Sequence, residues 1–181
     1  MNALAKQAVG NYLNKYFASS YQKVGTFTKA GDQKQGGNVA SYFTTPGGHI
    51  LHVIAGPVGE QTLLREARWV VETWKLAQLQ GADKTVAKLK LFLRKVHAER
   101  LREEHNLDLR RVPLPNVASQ QATPALLMER TLNWRPGLDN AGRVHLLLAC
   151  YPLVRIEEVY GLVFERILNQ PLSTVPVVQR G

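Results

Sequence analysis

Sulfur chemistry is almost absent from this sequence. One cysteine, Cys150, serves 181 residues, which excludes a disulfide framework, a Cys-x-x-Cys redox pair and a cysteine-rich zinc site. Long hydrophobic runs are missing as well. The longest apolar segment, Val144 to Val154, is interrupted by His145, Tyr151 and Pro152 and falls short of the ~20 apolar residues that span a bilayer. Met1 to Gln7 has no charged start leading into an apolar run, so no signal peptide is expected. These absences imply a cytoplasmic location; an exported one would require the chain to be a piece of something longer. Glycine-rich phosphate loops and Gly-x-Ser-x-Gly elbows are also lacking. Nothing points to an enzyme, and no cofactor is expected.

What is present suits a folded chain. Apolar residues make up 45% and charged residues 20%, enough for a buried core in one domain, or in a small domain with an extension. Acids are the scarcer charge, and the formal net charge is +9. Residues 83–111 hold nine basic and five acidic groups in 29 positions, the densest source of positive potential in the chain.

Leu4, Ala8, Tyr12, Leu13 and Tyr16 recur at helical spacing and predict an amphipathic helix. Tyr21 to Thr28 reads as a strand, and residues 29–38, polar with three glycines, as a loop. Val39–Thr44, the turn Thr45-Pro46-Gly47-Gly48, and His49–Ala55 predict a β-hairpin, because proline presets φ and glycine supplies positive φ. Leu63, Ala67, Val70, Trp74 and Ala77 then mark a helix over Gly59–Gln80, with Glu66 placed among the residues of its polar faces. Gly81 closes it, and Asp83 is the expected cap of the next helix, Lys84 to about Asn106. Leu107–Pro124 contains three prolines and predicts an extended linker. Helices are expected at Ala125–Trp134, from Asp139 or Asn140 to Cys150, and over Pro152–Asn169, with an extended ending from Gln170.

The order helix, strand, loop, strand, turn, strand, long helix resembles a thioredoxin-like domain without its first strand. The resemblance is carried best by Gly36-Gly37-Asn38, the hairpin Val39–Ala55 and the helix that follows Gly56-Pro57. It implies an α+β fold: an incomplete thioredoxin-like domain with a small mixed sheet over residues 1–81, followed by a mainly helical extension over 82–181 with its proline-containing linker at 107–124. The family's redox apparatus is absent from the matching positions. No cysteine precedes the first helix, and Val39 stands where the family places a cis-proline. The resemblance therefore implies a non-catalytic thioredoxin-like module for protein–protein interaction or assembly, its extension packed on the exposed sheet edge or on the Gly59–Gln80 helix. The alternative is a fragment of a thioredoxin-family oxidoreductase whose redox site lies upstream.

The remaining residues give few sharp signals. Cys150, among Leu146, Leu147, Leu148 and Ala149, reads as a small core residue with an unactivated thiol. The five histidines show no ligand spacing: His49 and His52 fall on opposite faces of a strand, and His97 and His105 lack an accompanying carboxylate motif. No catalytic or metal-binding residue is assigned. The pairs Glu103-Glu104 and Glu157-Glu158 diverge around a helix and read as solvated groups. The basic helix competes for a function: Lys84, Lys88, Lys90, Arg94, Lys95, Arg100 and Arg102 face a single acid, Glu99, over residues 84–102. That density suits nucleic acid, an anionic surface or an acidic partner, although Phe92 is its only aromatic. Trp69 lies off the apolar stripe of its helix and is a candidate contact for the extension or for a protein partner.

Overall fold

A computed structural model describes residues 3–21, 28–30, 33–35, 39–111 and 137–172. A short 3-10 turn, Ala3–Ala5, leads into helix α1 (Gln7–Tyr16), whose inner face carries the buried Val9. Strands β1 (Thr28–Ala30) and β2 (Gln33–Gln35) pair antiparallel, Thr28 opposite Gln35. This ladder lies where composition predicted a loop. A strand pair needs only backbone N–H and C=O groups, so polar side chains do not forbid it. Residues 22–27 of the predicted strand Tyr21–Thr28, the linker beyond residue 111, the helix Ala125–Trp134 and the ending from residue 173 lie outside the described residues.

The Pro-Gly-Gly hairpin forms as expected. β3 (Ala40–Thr44) pairs antiparallel with β4 (Ile50–Ala55), and Gly48 takes φ 77°, open to glycine without strain. Phe43 faces His52 while Thr44 faces Ile50, so Leu51 is an extra residue forming a β-bulge. Helix α2 (Glu60–Leu79) ends before Gly81, which sits at φ 63°. Helix α3 (Val86–His105) is capped by Thr85, whose hydroxyl accepts from the Lys88 N–H at 3.2 Å. Asp83, the expected cap, lies in the preceding 3-10 turn Ala82–Lys84; Thr85 has the extended backbone a cap requires. Helix α4 (Asn140–Cys150) is capped by Asp139, accepting from the Gly142 N–H at 2.8 Å. Helix α5 (Ile156–Leu162) runs on into a wider π turn, Val163–Ile167.

The fold is α+β, and among the described residues both strand pairs are antiparallel, where a mixed sheet was expected. The β3–β4 hairpin separates two apolar cores. Phe43, Leu51 and Ile54 join α1, α2 and the first half of α3 on one side. Ile50 and Val53 join Val144, Leu147 and Leu148 of α4 with Val159, Val163 and Phe164 on the other. The Ile50 N–H donates to Val154 O at 2.9 Å, tying the α4–α5 connection to the start of β4. A third cluster, Leu101, Leu107, Leu109, Leu146 and Ala149, fills the α3–α4 contact. No helix among the described residues is long and apolar enough to cross a membrane.

Two glycines separate close packing from open space. A Cβ on Gly142 would come within 2.9 Å of Leu138 Cδ2 and 3.0 Å of His105 Nδ1, whereas one on Gly10 meets nothing within 4 Å. Gly142→Ala is expected to destabilise by about 1 kcal/mol, the crowding outweighing the gain in helix propensity. Gly10→Ala should stabilise by roughly 0.5–1 kcal/mol. Urea unfolding of both variants checks the two signs.

A candidate metal centre of three buried histidines

Three of the five histidines occupy positions that their elements turn inward. His97 falls in the α3 series Leu89, Leu93, His97, Leu101, spaced by four, and so sits on the helix's buried stripe. His145 lies inside the run Val144–Leu148 of α4, the helix wedged between α3 and β4. His52 sits beside the Leu51 bulge, on the β4 face toward α2. The three rings meet where β4, α2, α3 and α4 converge, at 3%, 1% and 1% exposure for His52, His97 and His145.

One ring nitrogen from each histidine lies within 4.8 Å of the other two. His97 Nδ1 and His145 Nδ1 are 2.8 Å apart. His97 Nε2 is 3.0 Å from the Leu51 carbonyl oxygen. A carbonyl only accepts, so the His97 proton is on Nε2 and its Nδ1 lone pair faces His145, whose Nδ1–H donates. The bulge contributes directly, since it takes Leu51 out of the regular pairing and the Leu51 carbonyl meets His97. His52 Nε2 is 3.2 Å from Glu66 Oε2, and the opposite nitrogen, Nδ1, is buried with no hydrogen-bond partner among the described residues.

Glu66 and Arg100 close the cluster on its α2–α3 side. The Arg100 guanidinium grips Glu66 in a two-pronged pair, with Nη1 on Oε2 and Nη2 on Oε1 at 3.2 Å, while its Nε–H donates to Glu104 at 2.7 Å. Trp69, half-buried, stands edge-on to the rings of His52, His97 and His145 at 5.1, 5.3 and 5.8 Å, and the Arg100 guanidinium lies 4.8 Å from its ring centre. Burial alone would raise the Glu66 pKa. Hydrogen bonds from His52 and Arg100, and the positive charge beside it, outweigh that and hold the carboxyl well below the usual range. Desolvation is the main cause of the opposite effect on the imidazoles, with neighbouring positive charge adding to it: His97 is pushed down to about 3, and His52 and His145 are also lowered. All three rings are therefore neutral at pH 7, the state in which a ring nitrogen offers a lone pair to a metal ion.

The residues singled out from sequence fall elsewhere, with two exceptions. Lys84, Lys88, Lys90, Arg94, Lys95 and Arg102 are exposed on and just before α3. Arg100, counted among the surface cations, is turned inward to Glu66, because it lies one turn beyond His97, near the same buried stripe. Glu66, placed on a polar face, is buried for the complementary reason: it neighbours Leu63, Ala67 and Val70 on the inner side of α2. Trp69 does contact other elements, and its partners are the histidines and Arg100. Cys150 is the last residue of α4, and burial pushes its thiol up to about 11. The histidine cluster has no spacing signature because its members come from three elements. Its one trace in the sequence is that His52, His97 and His145 all stand on apolar faces. No protein-family model, curated protein or solved structure matches this chain.

Two outcomes follow for the metal-free protein. The buried histidines have folded pKa values below their unfolded value of about 6.5, so their contribution to stability is complete above that pH and falls as pH drops below it. Each such group steepens the loss by about 1.4 kcal/mol per pH unit until its folded pKa is reached. Thermal melts in chelator should show the midpoint falling from pH 7 to pH 5, before ordinary carboxylates titrate. Glu66→Gln leaves Arg100 with Glu104 as its remaining carboxylate and should destabilise by about 3 kcal/mol. Arg100→Met in the same chain should recover part of that loss, as a double-mutant cycle by urea unfolding would measure.

Proposed function

We propose that this chain is a metal-holding module in which His52, His97 and His145 bind one divalent transition-metal ion, and that it works by association and not by catalysis. One observation carries the reading: ring nitrogens of three neutral, buried histidines converge within 4.8 Å, and one histidine nitrogen in the cluster, His52 Nδ1, has no hydrogen-bond partner among the described residues. A buried polar atom without a hydrogen bond costs about 1–3 kcal/mol, and coordination would remove that cost. Two of the rings are held from behind, His52 by Glu66 and His97 by the Leu51 carbonyl. This is the second-shell arrangement that orients metal-binding imidazoles. A donor set of imidazoles with no thiolate favours zinc or copper among available first-row ions. Three donors leave one position of a tetrahedral ion to water. The near-zero exposure of the rings and the flanking Trp69 favour a structural role, an ion that would cross-link β4, α3 and α4, over hydrolysis of a substrate from solution.

The resemblance of residues 36–80 to a thioredoxin-like domain belongs to the same proposal, as a module for interaction or assembly. Its support is chemical. The sequence holds no cysteine pair, and Cys150 sits at the C-terminal end of a helix, where the dipole opposes a thiolate.

Titrating chelator-treated protein with Zn(II), Cu(II) or Co(II) tests the metal reading. One ion per chain is expected, with visible ligand-field bands for Co(II) and a melting temperature that rises with free metal concentration. Glu66→Gln should weaken affinity about 10–100-fold while leaving the ligands in place. A folded wild-type chain that takes up none of these ions, and is not stabilised by them, ends the proposal.

A further inference from the structure

The exposed side of α3 carries an arrangement that neither the core nor the histidine cluster uses. Leu89, Leu93, His97 and Leu101 face inward, and the opposite arc is open to solvent. At its centre Leu91 is 70% exposed. Its neighbours three and four residues away on the helix surface are Ala87, Lys88, Arg94 and Lys95, all exposed. Lys90 extends the basic arc, and Lys84 precedes the helix. The acids of the second half of α3 are engaged: Glu99 meets Arg102 at 3.5 Å and Glu104 meets Arg100 at 2.7 Å. Lys84, Lys88, Lys90, Arg94 and Lys95 make no ion pair with the described residues.

We propose that this face docks on an anionic phospholipid surface, its lysines and arginine among the headgroups and Leu91 directed into the acyl boundary. Three observations select that partner. The cations surround an exposed leucine, Leu91, that would gain nothing from a nucleic-acid backbone, and the face offers no exposed aromatic for base stacking. Four of the five unpaired cations are lysines, a residue depleted at the cores of protein interfaces. A lysine cluster around one projecting leucine matches a negatively charged bilayer surface, where each nearby cation strengthens binding about fivefold. This inference stands apart from the metal reading and survives its failure.

The experiment is co-sedimentation of the full chain with phosphatidylcholine–phosphatidylserine vesicles and with pure phosphatidylcholine vesicles, over a range of salt. Binding to the first alone, weakening as salt rises, is expected. Lys88→Glu, Arg94→Glu and Lys95→Glu combined should lower it by more than 100-fold. Leu91→Ser, which leaves the charge unchanged, should lower it about fivefold and leave any duplex-DNA binding as it was. All these positions are exposed, so circular dichroism should report an unaltered fold. Folded protein that ignores phosphatidylserine vesicles at low salt overturns the proposal. So does equal retention on vesicles, heparin and DNA with no effect of Leu91→Ser, which would mark a general polyanion site. Binding to an acidic polypeptide with vesicles left untouched would assign the face to a protein and overturn it equally.

Discussion

A carboxylate removed from water must be met from more than one side, and Glu66 is met from three, its neighbour Arg65 donating to Oε1 at 2.9 Å from the solvent side. Arg100 approaches from α3 with both prongs of its guanidinium, and His52 approaches from β4. That one group fixes how α2 lies against α3 and how the hairpin lies against both. Breaking such a buried pair costs far more than the pair contributes against an apolar replacement, so its value lies in specifying one arrangement among compact alternatives. Trp69 completes the constraint by placing its indole against Arg100 and edge-on to all three imidazoles. Most of the structure's buried polar chemistry is gathered around this point, between apolar cores that hold it dry.

The same constraint sets the chemistry of the histidines. In a desolvated site beside a cation, a protonated imidazole is unfavourable, so the rings are neutral; His52 Nδ1 and His97 Nδ1 carry lone pairs, and His145 Nδ1 presents one once its proton moves to Nε2. Glu66 and the bulged Leu51 carbonyl then decide which nitrogen of His52 and of His97 faces inward. A local backbone irregularity, one extra residue in β4, thus has a consequence at the level of donor geometry. Burial that pushes the His97 pKa well down argues against that ring as a general base at pH 7, which needs a pKa near 7.

Charge is divided in a similar way along α3. The helix has a polar core side at Arg100 and a solvent side at Lys88, Leu91, Arg94 and Lys95, and the seven cations that look alike in sequence do two jobs. Arg100 stabilises the interior through one planar, bidentate contact that a lysine would not reproduce. The exposed set contributes field and little stability.

By itself the amino-acid order settled much of the local structure. Pro46, Gly47 and Gly48 dictate a hairpin because only a few φ values close that turn, the spacing from Leu63 to Ala77 dictates a long helix, and a lone cysteine forbids dithiol chemistry. The β1–β2 pairing was hidden because a backbone ladder leaves little mark on polar side chains. Tertiary structure alone decided the rest: that Glu66 and Arg100, 34 residues apart, face each other, and that His52, His97 and His145 share one dry point. The physical reason is that periodicity reports which side of an element is buried, whereas a convergent site depends on which elements are neighbours and at what rotation. That information is set by packing and by the desolvation cost of the groups brought together.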